Sequence, residues 1–321
     1  MTMRVYFATD IHGSERTFRK FINCAKFYKV DHLIMGGDIM GKFMVPIVHE
    51  HDDHYRVTLQ GVHETVDGAD ELQKLKERIE TLGFYHVTVE EDVLHAMQDD
   101  QQAVDETFHR LARERLERWV ALADERLDGT GVKWYVTGGN DDPPDVLTVF
   151  EQVHSEHVVP CEGRIIMVDD FYPMANCGYS NPTPWKTPRE VEEEVLEGLL
   201  EEAVQGVDDY TNAIFNVHVP PYDCTLDDCP KLDWSTDPPS PIIVAGVPQS
   251  APAGSTAVRK VIEKYQPLLA LTGHIHESRG LVNLGRTTVI NPGSEYGEGI
   301  IRGCIITLQP GKILGYQMTS G

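Results

Sequence analysis

Five short segments of this chain place carboxylate, imidazole and amide side chains directly after apolar runs. They are Asp10-Ile11-His12, Gly36-Gly37-Asp38, Gly138-Gly139-Asn140-Asp141-Asp142, Asn216-Val217-His218 and Gly273-His274-Ile275-His276. Oxygen and imidazole nitrogen donors without a thiolate suit borderline cations: Mn, Fe, Zn, Co or Ni. The glycines ahead of the polar tips let the backbone turn tightly and approach a ligand closely. A single Gly-Gly-Asp is an ordinary turn, and a single His after a strand is an ordinary loop residue. Five such tips on one edge of one sheet are instead what a metal-dependent reaction needs.

The flanking residues supply that edge. "MRVYFATD" (3–10) is a buried strand by its β-branched and aromatic run. "SERTFRKFINCAKFY" follows as a helix, with Phe18, Phe21, Ile22 and Ala25 at helical spacing and Ser14 placed to cap it. "HLIMGGD" (32–38) is a second strand, so the chain opens with a strand–helix–strand unit. Parallel sheets bind ligands outside the carboxyl ends of their strands, where the tips stand.

Residues 42–130 break the rhythm. "VPIVHEHDDHYRVTLQG" predicts a short hairpin, "GADELQKLKERIETLG" a helix, and 92–127 a second helix with Leu94, Met97, Val104, Phe108, Leu111 and Trp119 in a core-facing stripe. We therefore expect a single domain over 1–321 carrying a hairpin-plus-helical cap inserted at 42–130. Strands resume at 132–139, 164–172 and 212–221, the last two separated by a charged helix over 188–205. A Pro- and Asp-rich loop over 222–254 borders the expected site. The helix "STAVRKVIEKY", the strands "PLLALTGHIH" and "TTVINPGS", and a hairpin turning at Pro310-Gly311 complete the chain.

Composition narrows the partners. Of 321 residues, 51 are acidic and 28 basic, a formal charge of −23 that repels long nucleic acid and anionic membrane. A pocket holding cations still attracts a phosphate locally, because the ions dominate the field there. No apolar run approaches the ~18 residues of a membrane span, and no signal-peptide pattern opens the chain. The six cysteines form no Cys-x-x-Cys pair, so we expect thiols in a cytoplasmic protein, Cys224 and Cys229 included. "HEHDDH" (49–54) resembles a metal tract, but its alternation fits an exposed hairpin apart from the sheet edge. Oligomeric state leaves no trace in the sequence.

The ordered set Asp-x-His, Gly-Gly-Asp, Gly-Asn-x-Asp, a His before Pro, and Gly-His-x-His resembles the calcineurin-like metallophosphoesterase superfamily, over nearly the whole chain outside 42–130. The resemblance implies a four-layer αββα sandwich, two mixed β-sheets flanked by helices, with two metal ions at the strand ends. It implies that Asp10, His12 and His276 hold one ion, that Asn140, His218 and His274 hold the other, and that Asp38 bridges them. Neutral Asn140 and the imidazoles then leave the site cationic for a phosphate, and a metal-bridging hydroxide attacks phosphorus. Asn291 and Ser294 match a family loop expected to support the site.

The family's usual Gly-Asn-His-Asp/Glu motif carries a His near the leaving-group oxygen. Here Asp141 stands in that slot and Asp142 matches the acidic position. An ordinary Asp is ionised at neutral pH and has no proton to donate. We expect catalytic roles at Asp141, Asp142 and His218, with Asp141 not a simple replacement acid. Good leaving groups, another proton donor, or a substrate-orienting role for Asp141 remain the alternatives. The implied activity is hydrolysis of a small phosphoester, a nucleotide among the candidates, with a diester favoured over a monoester. A non-catalytic scaffold of the same fold is the alternative.

Overall fold

The computed structural model describes residues 2–233, 235–236 and 239–321. Met1 lies outside them, as do Trp234, Asp237 and Pro238 of the 222–254 segment. Two six-stranded sheets carry the fold. In the first, Lys312–Ser320, Arg302–Gln309, Met3–Ala8, His32–Met35, Lys133–Val136 and Val158–Pro160 lie side by side in that order. Its last four strands are parallel, and the C-terminal hairpin joins antiparallel to Met3–Ala8. The second runs Gly280–Leu284, Thr287–Asn291, Leu269–Leu271, Ile214–Val217, Tyr172–Cys177 and Ile165–Val168, with four parallel strands between antiparallel edges.

Strand alternation builds the layers. Val5, Phe7, Ile34 and Tyr135 face Met174, Ile214, Leu271 and Ile290 in one apolar core between the sheets. Tyr6, Ala8, Leu33, Met35 and Trp134 point the other way, onto the helices. Across the second sheet, Phe215, Val217, Ala270 and Val289 pack on helices Glu193–Val204 and Thr256–Tyr265. The result is helix, sheet, sheet, helix, the expected four layers. Ser14 caps Glu15–Tyr28 by accepting from Thr17 N–H, as its position predicts. All six cysteines are free thiols, five of them buried. No helix among the described residues is long and apolar enough to cross a membrane.

Residues 42–130 divide in two. The expected hairpin is part of a four-stranded sheet, ordered Val62–Asp67, His54–Leu59, Met44–His51 and Tyr85–Glu90, with helix Gly68–Thr81 on one face. Val45, Ile47, Val57, Leu59, Leu75 and Ile79 form its own small core. The predicted 92–127 helix breaks at Asp99-Asp100 into Glu91–Gln98 and Gln101–Leu127. The second piece belongs to the sandwich: Trp119 is fully buried and stacks on Phe18, centroids 4.1 Å apart and planes 5° from parallel. Its Arg115 is also buried and donates to the carbonyls of Gly13 (2.7 Å) and Phe84 (3.0 Å), tying the sandwich to the segment that enters the four-stranded sheet.

Two further differences have local causes. The predicted 164–172 strand is two strands, Ile165–Val168 and Tyr172–Cys177, separated by a turn with Asp169 at φ 57°. The 222–254 loop contains narrow antiparallel ribbons, Asp228–Pro230 with Ser250–Pro252 and Ile243–Val244 with Val247–Pro248. Ladders of two or three residues are too short to show alternation in a sequence.

Candidate metal centre

The five polar tips meet at the carboxyl ends of parallel strands, but not on one edge of one sheet as expected. Asp10, Asp38 and Asn140 follow strands of the first sheet, and His218 and His274 follow strands of the second. Asp10, His12, Asp38 and His274 all have positive φ (54°, 39°, 49° and 63°). The left-handed region costs a non-glycine residue about 1–3 kcal/mol, and such residues concentrate at functional sites. Gly139 and Gly273 allow the loops to close: a Cβ on the first would run into Asp38, and on the second into Asp10.

Three groups each bring ligating atoms within 4.8 Å of one another: Asp10–His12–His276, Asp38–His218–His274 and His12–Asp38–Asp141. The His12 and His276 Nε2 atoms approach to 3.1 Å, and Asp10 Oδ1 lies 3.3 Å from His276 Nε2. Asp38 sits between the groups, Oδ2 3.6 Å from His12 Nε2 and Oδ1 3.4 Å from His218 Nε2. Asn140 Nδ2 donates to Thr187 Oγ1 at 2.8 Å, which leaves its buried Oδ1 without a partner. His218 Nδ1 donates to the Gly36 carbonyl at 3.0 Å, and its buried Nε2 has no hydrogen-bond partner.

Buried polar atoms are normally satisfied, so an orphaned amide oxygen and imidazole nitrogen beside clustered carboxylates fit cation ligation. The supporting bonds fit as well. Asp10 accepts from Thr9 Oγ1 (2.7 Å) and His274 N–H (3.0 Å). Asn291 Nδ2 donates to the Gly273 and Ile275 carbonyls, and Ser294 Oγ to that of Asp10, the supporting role expected of them. Such outer bonds fix ligand orientation and tautomer.

Electrostatics set the protons of the metal-free cluster. Burial works to lower His218, but Asp38 and Asp10 outweigh it and raise its pKa to about 10. Burial and the His218 charge push His274 down to about 4, and burial and Lys42 hold His12 well below its ordinary value. Burial disfavours ionised Asp10 and Asp38, yet the facing imidazoles hold both below the usual carboxylate range. His218 is therefore protonated up to about pH 10, and a metal must displace that proton. Metal uptake at pH 8 should release about one proton per chain, that of His218. Affinity should fall as pH drops, because protons compete for the same nitrogen. Titration calorimetry in buffers of different ionisation heat checks this; a heat independent of buffer would exclude it.

Asp141 and Asp142 part company. Asp142 is fully buried and accepts from the backbone N–H groups of Ile39 (3.0 Å), Met40 (2.8 Å) and Gly139 (2.7 Å). Its carboxylate clamps the 38–40 loop to the 139–142 loop and does not face the cluster. Burial and Asp38 push it up to about 7, against the lowering by those three donors. Asp141 does face the cluster, with Oδ2 3.6 Å from His12 Nδ1 and 2.7 Å from Lys42 Nζ. Burial and Asp38 raise its pKa to about 6, and Lys42 opposes them.

Sequence reasoning missed Lys42, Arg189 and Tyr296. Arg189 is buried, pairs with Glu162, and donates to the Gly139 carbonyl, so it braces the Asn140 loop from behind. The Tyr296 ring packs 4.6 Å from that of His12. Lys42 had a signal, its place four residues after Asp38 on the same loop; the other two had none. "HEHDDH" is an exposed ion-pair network: His49 binds Glu90 (2.7 Å) and His54 binds Asp67 (2.6 Å). Neither His enters a metal-holding group among the described residues.

A profile described as calcineurin-like phosphoesterase matches residues 3–278. The uncharacterized protein MJ1162 of Methanocaldococcus jannaschii is 33% identical over 117 residues, 36% of this chain and 45% of that protein's length. The chain thus spans less than half of that relative. The solved structure of TT1561 from Thermus thermophilus superposes with a TM-score of 0.53 at 15% identity, over 100% of this chain and 99% of that one, a likeness of fold. A dimetal phosphatase from Danio rerio is more distant, with a TM-score of 0.41 at 8% identity over 95% of each chain.

Proposed function

The chain belongs to the calcineurin-like phosphoesterase family, and from that premise we propose that it is a binuclear-metal-dependent hydrolase of a small phosphoester. Asp10, His12 and His276 would hold one ion, and Asn140, His218 and His274 the other, with Asp38 shared. Two bound ions supply Lewis acidity to the phosphate and lower the pKa of the attacking water. The chain's own side chains do the rest. Asp38 keeps the two groups together, and the neutral donors Asn140, His12 and His274 leave net positive charge for the phosphate. Asp142 and Arg189 hold the 139–142 loop in register.

The observation that carries this function is the orphaned buried Asn140 Oδ1 beside a carboxylate, Asp38, that stands 3.6 Å from His12 Nε2 and 3.4 Å from His218 Nε2, between two ligand groups. The charge of −23 supports a small substrate over long nucleic acid. A diester is our choice over a monoester, and a nucleotide is one such substrate.

The protein should turn over bis-p-nitrophenyl phosphate faster than p-nitrophenyl phosphate when given Mn²⁺ or Ni²⁺. The reverse ranking would make it a monoesterase. No turnover of either ester with any divalent ion, together with no retained metal, would make it a scaffold of this fold.

A further inference from the structure

Lys42 ends the loop Asp38-Ile39-Met40-Gly41-Lys42, and that loop is held at several points. Asp142 accepts from Ile39 and Met40, and Gly41 N–H donates to the Tyr85 hydroxyl at 3.0 Å. Lys42 Nζ lies 2.7 Å from Asp141 Oδ2, and Asp141 N–H donates to Asp38 Oδ1 at 3.0 Å. The ammonium is therefore placed at both ends, through its own loop and through its partner's, relative to the shared carboxylate of the cluster.

It is more accessible than the ligands. The side chains of Asp10, His12, Asp38 and His218 are at most 3% exposed and that of His276 is 27% exposed, against 37% for Lys42. Among the described residues it is the one lysine or arginine within 4.0 Å of a carboxylate in this cluster. A phosphoester with its non-bridging oxygens turned toward the ligand groups leaves its ester oxygen on the solvent side, where this ammonium stands.

We infer that Lys42 contacts the departing oxygen of the substrate and stabilises its charge, and that Asp141 is the residue that positions Lys42. The inference rests on the hydrolytic function proposed above. In the reaction a bond forms between water oxygen and phosphorus, and the bond from phosphorus to the ester oxygen breaks. The electron pair stays on that oxygen, and the Lys42 N–H bonds to it. The attacking water gives up one proton to solvent. A departing alkoxide takes a proton from the ammonium, which regains one from solvent, whereas an acidic phenolate leaves hydrogen-bonded to the ammonium and unprotonated. The ionised Asp141 carboxylate has no proton to offer the leaving group, and its part in this step is to hold Lys42. That carboxylate, 2.7 Å from Nζ, supplies the counter-charge that keeps the ammonium in place.

Two measurements on the Mn²⁺-supplied protein test this. The first is kcat/KM for aryl and alkyl phosphoesters of graded leaving-group pKa. Lys42→Met should lose about a hundred-fold on the poorest leaving groups, the usual scale for a positioned proton donor, and far less on p-nitrophenol. Lys42→Arg should recover part of the loss, and Asp141→Asn should show the same slope more weakly. Equal loss across the series, or none, would overturn the assignment.

The second is calorimetric binding of orthovanadate, whose five-coordinate adducts carry an oxygen at the leaving position. Lys42→Met should weaken it about tenfold, the scale of one charge-assisted hydrogen bond. Unchanged vanadate affinity overturns the role of Lys42 whatever the turnover. A wild type that hydrolyses no ester but binds vanadate through Lys42 overturns the hydrolytic function instead.

Discussion

Asp38→Asn should lower kcat/KM for p-nitrophenyl phosphoesters by about a thousand-fold, since Lewis-acid ions supply several kcal/mol and each ~1.4 kcal/mol is a factor of ten. Asp38 reaches His12 Nε2 and His218 Nε2 from its two oxygens at 3.6 and 3.4 Å, whereas Asp10 stands 3.9 Å from each. An amide keeps the shape and loses the charge that draws two cations together. The fold should survive, because the amide oxygen can still accept from Asp141 N–H and because His218, losing the partner that raises its pKa, can turn neutral. Metal content by atomic absorption should drop by at least one ion per chain. Full metal content with activity within tenfold of wild type would show that Asp38 does not bridge.

The second large effect is on stability. Trp119→Ala should cost about 3–5 kcal/mol, the usual loss for deleting a buried aromatic side chain. The substitution removes the Phe18 stack and a hydrogen bond from Trp119 Nε1 to Glu15 Oε2 at 2.6 Å, both inside the first helical layer. Denaturant unfolding followed by far-ultraviolet circular dichroism should show the main transition itself moving to lower denaturant. If instead only a minor early transition moved, helix Gln101–Leu127 would belong to the cap and not to the sandwich.

The site was legible because its signals are local. A buried strand, a glycine and a polar tip lie within a few consecutive residues. Asp10, His12, Asp38, His218, His274 and His276 fall together in the structure as their strand ends predict. What lay between elements was not legible. Strand Tyr85–Glu90 pairs in parallel with Met44–His51 across an intervening hairpin and helix, so the hairpin expected there is a four-stranded sheet. The Trp119 stripe is core-facing as its period predicts, but the period does not say which core.

Asp141 and Asp142 show the same limit at the scale of one residue. Both are carboxylates on one turn, and the sequence distinguishes only their positions. In the structure Asp142 spends its oxygens on three backbone N–H groups, while Asp141 faces Lys42 and His12. The sequence by itself determined the strands and their glycine-flanked polar tips, because strand periodicity and glycine turns are properties of adjacent residues, and the four layers followed from the family resemblance those tips carry. Only the tertiary structure decided that Lys42 meets Asp141 and that helix Gln101–Leu127 packs on the sandwich. Each of those contacts joins segments about a hundred residues apart, and no local spacing encodes which distant side chain will stand opposite.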